Sequence, residues 1–180
     1  MPPFPAMELN RVYFFTASIL NWQNLLCSRQ YKQVIIDSLK YLSDRRKIKI
    51  YAFVIMPNHI HFLWEMLAKN GREMPYSSFM KHTGHLFLKM TEINTPHTLP
   101  HFYSTQADRK YHFWERNSLP VHLYSKSVVE QKLAYIHQNP IAGRWKLAQN
   151  AVEYPYSSAK FYAGAGDDFG FLVDYRERFG

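Results

Sequence analysis

Two histidines separated by one residue, His59 and His61, lie in the apolar segment YAFVIMPNHIHFLWEM, residues 51–66. The segment predicts a β-hairpin, because both arms are apolar and Pro57-Asn58 is a pair that ends a strand and turns the chain. Side chains alternate faces along a strand, so both imidazoles project from one face with Cα atoms about 6.5–7 Å apart. Imidazole is the commonest side-chain metal ligand near neutral pH, so the pair could bind one divalent cation. Two strand histidines without a ligand would give the same pattern.

A helix is predicted some seventy residues further on, in YSKSVVEQKLAYIHQNPIAG, residues 124–143. Ser127 and Glu130 form a capping-box pattern, which predicts the start of the helix. Pro140 predicts its end, because the residue before a proline is disfavoured in the helical region. The spacing of three apolar residues predicts the stripe that faces the core: Val129, Leu133 and Ile136.

Tyr135 lies off that apolar stripe, and Asn139 lies one helical turn further on the same side. Packing therefore does not require a tyrosine at this position, which leaves its hydroxyl free to face a site beside an amide oxygen. A surface tyrosine on an amphipathic helix is the alternative interpretation of this helix taken alone.

The two elements, in this order and spacing, resemble the single-tyrosine HUH transposases, and most closely the REP-associated tyrosine transposases. The first signature is His-hydrophobic-His, here residues 59–61, and the second is Tyr-Ile-His-x-Asn-Pro-x-x-Gly, here residues 135–143. Four further segments match in family order: YFFTAS at 13–18, SSFMKHTGHLFLKM at 77–90, FWERN at 113–117 and YPYSSAKFY at 154–162. The resemblance covers roughly residues 10–165.

The resemblance implies a nuclease and strand transferase that moves a mobile element through single-stranded DNA. His59 and His61 would bind Mg²⁺ or Mn²⁺, and Asn139 matches the position from which family members contribute a third ligand. Tyr135 would attack a phosphodiester, giving a 5′-phosphotyrosine and a free 3′-hydroxyl that can later be rejoined. The implied substrate is an imperfect DNA hairpin with a short single-stranded flank. The sequence leaves open a monomer or a homodimer that exchanges the tyrosine helix.

Recognition of such DNA requires basic side chains with aromatic platforms among them. The candidates are basic residues of the second predicted helix and of the segment around the aromatic pair Phe113-Trp114: Lys81, His82, His85, Lys89, Arg109, Lys110 and Arg116. Each could instead be an ordinary solvated charge. Tyr103, Tyr111 and Trp114 could stack on bases, although Trp114 is also suited to the core.

Composition agrees with a globular protein that binds a polyanion. The 180 residues are 47% hydrophobic with a formal net charge of +8, which favours a single folded domain over residues 1–180 and a nucleic-acid partner. No apolar run is long enough to span a membrane, and no secretory signal is recognised. One cysteine, Cys27, indicates a reducing compartment, so we expect a cytoplasmic protein that associates with the nucleoid when bound to DNA.

The order of elements predicts an α+β fold. We expect a strand at 12–20, a helix at 28–46, the hairpin at 48–65, a helix at 77–90, a loop at 91–110, a short strand at 112–115 and the Tyr135 helix. The resemblance implies a ferredoxin-like, RRM-like antiparallel sheet with helices packed on one face, which is the HUH endonuclease fold. Residues 1–9 are expected to form a loose arm, and residues 163–180 a tail of uncertain structure.

Two other classes of function remain open. A catalytically silent module of the same fold could bind single-stranded nucleic acid without cutting it. A two-histidine phosphoesterase is the second alternative, but that chemistry needs two separate His-x-Thr or His-x-Ser elements, and no histidine here is followed two residues later by threonine or serine.

Overall fold

One antiparallel sheet organises the chain, which the computed structural model describes for residues 6–116 and 118–180. Within these residues the sheet has four strands: β1 (Val12–Ser18), β2 (Ile48–Ile55), β3 (His59–Met66) and β4 (Leu119–Leu123). Their order is β2-β3-β1-β4, so β3, which carries both histidines, is an inner strand. The strand order and connectivity confirm the predicted ferredoxin-like α+β fold.

The longer helices are α1 (Arg29–Asp44), α2 (Pro75–Asn94) and α3 (Lys126–Gln138), and two short ones follow, α4 (Ala159–Tyr162) and α5 (Arg176–Phe179). Alternation along β3 divides the core in two. Ile60, Phe62 and Trp64 face the cluster that contains α1 and α2, as predicted. Leu63 belongs to the opposite cluster with Val129 and Ile136, so α3 packs on the other face of the sheet. The expectation that all helices pack on one face is therefore wrong for α3. The two histidines project on this α3 face.

The fourth strand was predicted at the wrong place. Residues 112–115 make only an isolated bridge from Trp114 to Ile19, and the strand that pairs with β1 is Leu119–Leu123. This strand lacks an apolar pattern because it lies at the edge of the sheet, where Leu119 is 60% exposed. Pro120 is tolerated there because an edge strand has backbone groups that need no partner.

The predicted loop at 91–110 is also partly wrong, because eleven of its twenty residues are helical. Helix α2 continues to Asn94, and a 3-10 helix spans Pro96–Phe102. Thr91 explains the extension: its hydroxyl donates to the carbonyl of Phe87 and lies 2.9 Å from the buried hydroxyl of Tyr31. A polar residue satisfied in this way can remain inside a helix.

Helix α3 begins at Lys126 with Ser125 at its N-cap, rather than at the predicted capping box of Ser127 and Glu130. Glu130 instead accepts a hydrogen bond of 2.8 Å from the hydroxyl of Tyr175. The predicted end is confirmed, because α3 stops at Gln138, directly before Asn139 and Pro140.

Both ends of the chain contribute to the core. Residues 1–5 of the predicted N-terminal arm lie outside the described part, whereas Met7 is buried. In the C-terminal segment, Phe169 and Phe171 pack on Phe53 of β2 with ring centroids 4.8 and 5.6 Å away. Among the helices that the structure describes, none is long and apolar enough to cross a membrane.

Ile136→Ala should destabilise the protein strongly, because Ile136 is fully buried between α3 and the sheet. We expect a loss of about 2–5 kcal/mol in the free energy of unfolding, measured by urea denaturation. Gln131→Ala, at an exposed position of the same helix, is the matched control and should change it by less than about 0.5 kcal/mol. Equal stability of the two variants would show that α3 does not pack on the sheet as described.

Candidate active site

The two histidine rings meet on the α3 face of the sheet. Their centroids are 4.9 Å apart with an interplanar angle of 74°, and the residues are only 8% and 5% exposed for His59 and His61. Phe14 of β1 stacks on His61 at 5.2 Å and 17°. The strand alternation that predicts a shared face therefore brings the rings into contact, in an environment where few water molecules can reach them.

The Nδ1 atom of each histidine already has a hydrogen-bond partner from the protein. His59 Nδ1 lies 2.7 Å from Asn58 Oδ1, and His61 Nδ1 lies 2.8 Å from Thr16 Oγ1. Asn58 Nδ2 donates to the backbone carbonyl of Trp22, which fixes its oxygen toward His59. His59 therefore carries its proton on Nδ1, and its Nε2 holds a lone pair.

Each ring therefore leaves its Nε2 as the nitrogen that could bind a metal. His59 Nε2 lies 3.4 Å from Asn139 Oδ1. His61 Nε2 is buried and has no hydrogen-bond partner among the described residues. A buried polar atom without a partner is costly, and a lone pair that faces an amide oxygen gains nothing from it. A cation that accepts lone pairs from both nitrogens and from the amide oxygen would satisfy all three, so this donor set fits a divalent metal.

Burial keeps both histidines neutral. Desolvation, together with the smaller effects of the neighbouring His59 and Lys132, lowers the pKa of His61 to about 3. Desolvation also lowers the pKa of His59; the nearby Asn139 oxygen opposes this effect because it would accept a hydrogen bond from the protonated ring, whereas the charge of Arg144 adds to it. Neutral imidazole is the form that binds a metal, so neither ligand has to lose a proton near neutral pH.

Tyr135 lies beside His61 of its own chain. The two ring centroids are 5.2 Å apart at 71°, and Tyr135 also makes an edge contact with Phe14 at 5.9 Å. Although the residue is 51% exposed, its ring is held by these contacts. Lys132, one turn earlier on α3, has its Nζ 6.0 Å from the Tyr135 ring and 4.8 Å from the Phe14 ring. A positive charge therefore lies next to the hydroxyl-bearing ring.

The structure brings together four of the predicted site residues: His59, His61, Tyr135 and Asn139. It does not bring the predicted DNA-binding residues to them. Lys81, His85 and Lys89 are exposed on α2, which packs on the opposite face of the sheet. Lys81 is paired with Glu73 at 2.8 Å.

The other three DNA-binding candidates cluster in the segment before β4. Arg109 is paired with Asp108 at 3.1 Å, and burial, followed by the charges of Arg109 and Arg116, lowers the pKa of His112. Lys110 lies over the ring of Tyr111, 5.3 Å from its centroid. Tyr103 stacks on Tyr111, whereas Trp114 is buried and donates to Thr83. A DNA-binding role for these residues stays a prediction.

Sequence reasoning missed the residues that hold the histidine rings. Thr16 lies directly opposite His61 in the register between β1 and β3, and Asn58 comes from the turn of the hairpin. The segment YFFTAS, which matches the family, contains Thr16, but the match does not indicate that Thr16 contacts a histidine. Ser158 of YPYSSAKFY lies 2.9 Å from His137 Nε2 and also bonds the backbone of Phe53, which ties α3 to β2.

The metal-free protein should lose stability as the pH falls from about 6.5 to 5. Burial lowers the pKa of His61 to about 3 and that of His137 to about 4, whereas both histidines titrate near 6.5 in the unfolded chain. As the pH falls, the unfolded state therefore binds protons before the folded state does. Each histidine then lowers the free energy of unfolding by up to about 1.4 kcal/mol per pH unit below 6.5. Urea unfolding across this range measures the slope. His137→Gln should reduce the dependence of the free energy of unfolding on pH. An unchanged dependence would contradict the burial of a neutral His137.

The sequence matches no protein-family model and no curated protein. Among solved structures, the chain is similar to a REP-associated tyrosine transposase bound to a REP hairpin, with 18% identity and a TM-score of 0.65 over 97% of this chain and 93% of that one. It also resembles a candidate transposase from Deinococcus radiodurans R1, with 14% identity and a TM-score of 0.43 over 76% of this chain and 95% of that one, a likeness too weak to build on. The first match establishes architecture rather than activity. The chain therefore has the fold of a REP-associated tyrosine transposase.

Proposed function

We propose that this protein is a transposase-type DNA nuclease and strand transferase in which Tyr135 attacks single-stranded DNA. The observation that carries the proposal is the position of Tyr135 beside His61, whose buried Nε2 has no partner within the described residues. A nucleophile next to a set of neutral metal donors is the arrangement that metal-assisted phosphodiester cleavage requires. The fold shared with a transposase that binds a hairpin supports the same activity and a DNA hairpin as the substrate.

His59 Nε2, His61 Nε2 and Asn139 Oδ1 would hold one Mg²⁺ or Mn²⁺. When bound, this ion would neutralise charge on the non-bridging oxygens of the scissile phosphate. The protein's own task is to keep both imidazoles neutral and oriented. Thr16 and Asn58 do so by occupying the Nδ1 atoms, since a hydrogen bond on one ring nitrogen fixes which nitrogen is left to bind a metal.

Tyr135 then forms the covalent bond. Its hydroxyl oxygen attacks phosphorus, the bond from phosphorus to the 3′ oxygen breaks, and the proton lost by the phenol is balanced by the proton gained on the 3′-hydroxyl. The product is a 5′-phosphotyrosine, which keeps the energy of the broken bond, so a second 3′-hydroxyl can reverse the step without ATP. Lys132, beside the Tyr135 ring, favours the approach of the phosphate by its charge.

One chain supplies every group named so far, because Tyr135 faces the histidines of its own β3 strand. A monomer is therefore sufficient for one active site, and a homodimer would carry two. The catalytically silent binding module is the alternative function, and it has the same fold. Retention of the nucleophile and of the complete donor set favours the enzyme over the module.

Tyr135→Phe should abolish the covalent protein–DNA adduct and the cleavage of a labelled hairpin with a single-stranded flank, in the presence of Mn²⁺. The substitution removes the attacking oxygen and little packing, so DNA binding and stability should be nearly unchanged. Denaturing gel electrophoresis detects the adduct. Tyr124→Phe is the control, because Tyr124 is 80% exposed, lies just before α3 and should keep wild-type cleavage.

An adduct that survives in Tyr135→Phe would assign the nucleophile to another tyrosine. Wild-type protein that binds such hairpins without forming an adduct would favour the silent binding module.

A further inference from the structure

A tight turn after β1 presents a tryptophan to solvent beside the site. Trp22 is 59% exposed, the most exposed of the tryptophans in the described residues. Asn21 and Trp22 both have left-handed backbone conformations, with φ of 53° and 55°. This conformation is unfavourable for residues with a side chain, and two in succession persist only where the surroundings impose them.

Three hydrogen bonds from distant parts of the chain impose this turn. The backbone N–H of Asn21 donates to Glu115 Oε1 at 2.7 Å, and the Asn21 side chain donates to the carbonyl of His101 at 3.3 Å. Asn58 Nδ2 donates to the carbonyl of Trp22 at 3.3 Å. These bonds fix the backbone while leaving the indole exposed, which is the opposite of what core packing would require.

Trp22 is coupled directly to a proposed metal ligand. Its ring centroid lies 6.2 Å from that of His59 in an edge arrangement. The same Asn58 amide that bonds the Trp22 carbonyl also bonds His59 Nδ1. Asn58 therefore links the backbone of Trp22 to the His59 imidazole, and the indole contacts the same imidazole directly.

A guanidinium group lies on another segment that contacts His59. The ring centroid of Trp145 is 5.9 Å from that of His59, and Arg144 Cζ lies 4.8 Å from the Trp145 ring centroid. Arg144 itself is exposed, so stacking on Trp145 positions it while its donors stay free. An indole and a guanidinium thus lie near one buried imidazole. In proteins that bind single-stranded nucleic acid, an indole can stack on a base and a guanidinium can bind a phosphate.

We infer that Trp22 and Arg144 form a nucleotide subsite beside His59, in which Trp22 stacks on an unpaired base and Arg144 binds a phosphate next to the scissile bond. The inference rests on the proposed function, because it locates the single-stranded flank of the substrate at that site. Stacking on an indole tolerates any base, so this subsite holds the strand without reading its sequence.

The test compares binding to oligothymidylate with binding to an abasic strand of the same length, by anisotropy of labelled DNA at fixed salt. Wild-type protein should prefer the strand with bases. Trp22→Ala should weaken oligothymidylate binding about 5- to 100-fold and leave abasic binding nearly unchanged, whereas Trp22→Phe should keep most of the affinity. Trp22→Leu, which is apolar but cannot stack, should behave like Trp22→Ala. It replaces Trp22→Ala in the test if Trp22→Ala does not fold.

Two controls separate the roles of the side chains. Tyr41→Ala removes a ring that is 49% exposed on α1, on the other face of the sheet, and should change neither affinity. Arg144→Ala should weaken binding to both strands equally and reduce the salt dependence by about 0.7 in the logarithmic slope, the value for one phosphate contact on a single strand.

The subsite is overturned if Trp22→Ala binds both strands as wild type does, or loses affinity for both equally. These outcomes are distinct from failure of the proposed function, which would appear as absence of the covalent adduct in wild-type protein. Base-dependent binding through Trp22 without an adduct would support the subsite and contradict the nuclease.

Discussion

The burial of two neutral imidazoles, each with its Nδ1 atom already hydrogen-bonded, is the constraint on which the site depends. Because Asn58 and Thr16 occupy the Nδ1 atoms, each ring is fixed with its Nε2 left as the nitrogen that could bind a metal. An unpartnered His61 Nε2 is unfavourable in the folded protein by itself. We propose that this arrangement is a preorganised donor set, in which stability is lost so that a cation can be bound without rearrangement.

The C-terminal segment keeps α3, which carries the proposed nucleophile, against the two histidines. The hydroxyl of Tyr154 donates to the carbonyl of Ile55, and that of Tyr162 donates to the carbonyl of Tyr51, so the chain after α3 is tied to β2. Tyr175 in turn donates to Glu130 of α3. Helix α3 is thus held both by its apolar stripe on the sheet and by polar contacts from the segment that follows it. Tyr135 keeps its position although it is half exposed.

The sequence predicted the parts of the fold that follow from local patterns. Strict alternation in β3 placed the histidines on one face, and Pro140 marked the end of α3 within one residue. The edge strand β4 was missed because an exposed strand with a proline has neither alternation nor continuous apolar character. The start of α3 was displaced because the expected capping partner, Glu130, is bonded by Tyr175, a contact between residues far apart in sequence.

The same limit applies to the site. His59, His61, Tyr135 and Asn139 were found because residue type and spacing mark them, and the resemblance gave them roles. Thr16 and Asn58 contact the histidine rings by hydrogen bonds whose geometry depends on the folded chain, so no rule of sequence spacing could identify them. Trp22 is less predictable still, because its exposure depends on a left-handed turn held by Glu115 from a remote segment.

Electron spin echo spectroscopy of the Mn²⁺-loaded protein tests the donor set most directly, because the modulation counts the imidazole nitrogens that are bound to the metal. The proposed metal site predicts two bound imidazole nitrogens in wild-type protein and one in His61→Ala. His82→Ala is the control and should keep two, because His82 is exposed on α2. A fully hydrated ion without imidazole coupling in the wild type would contradict the assignment of His59 and His61 as metal ligands.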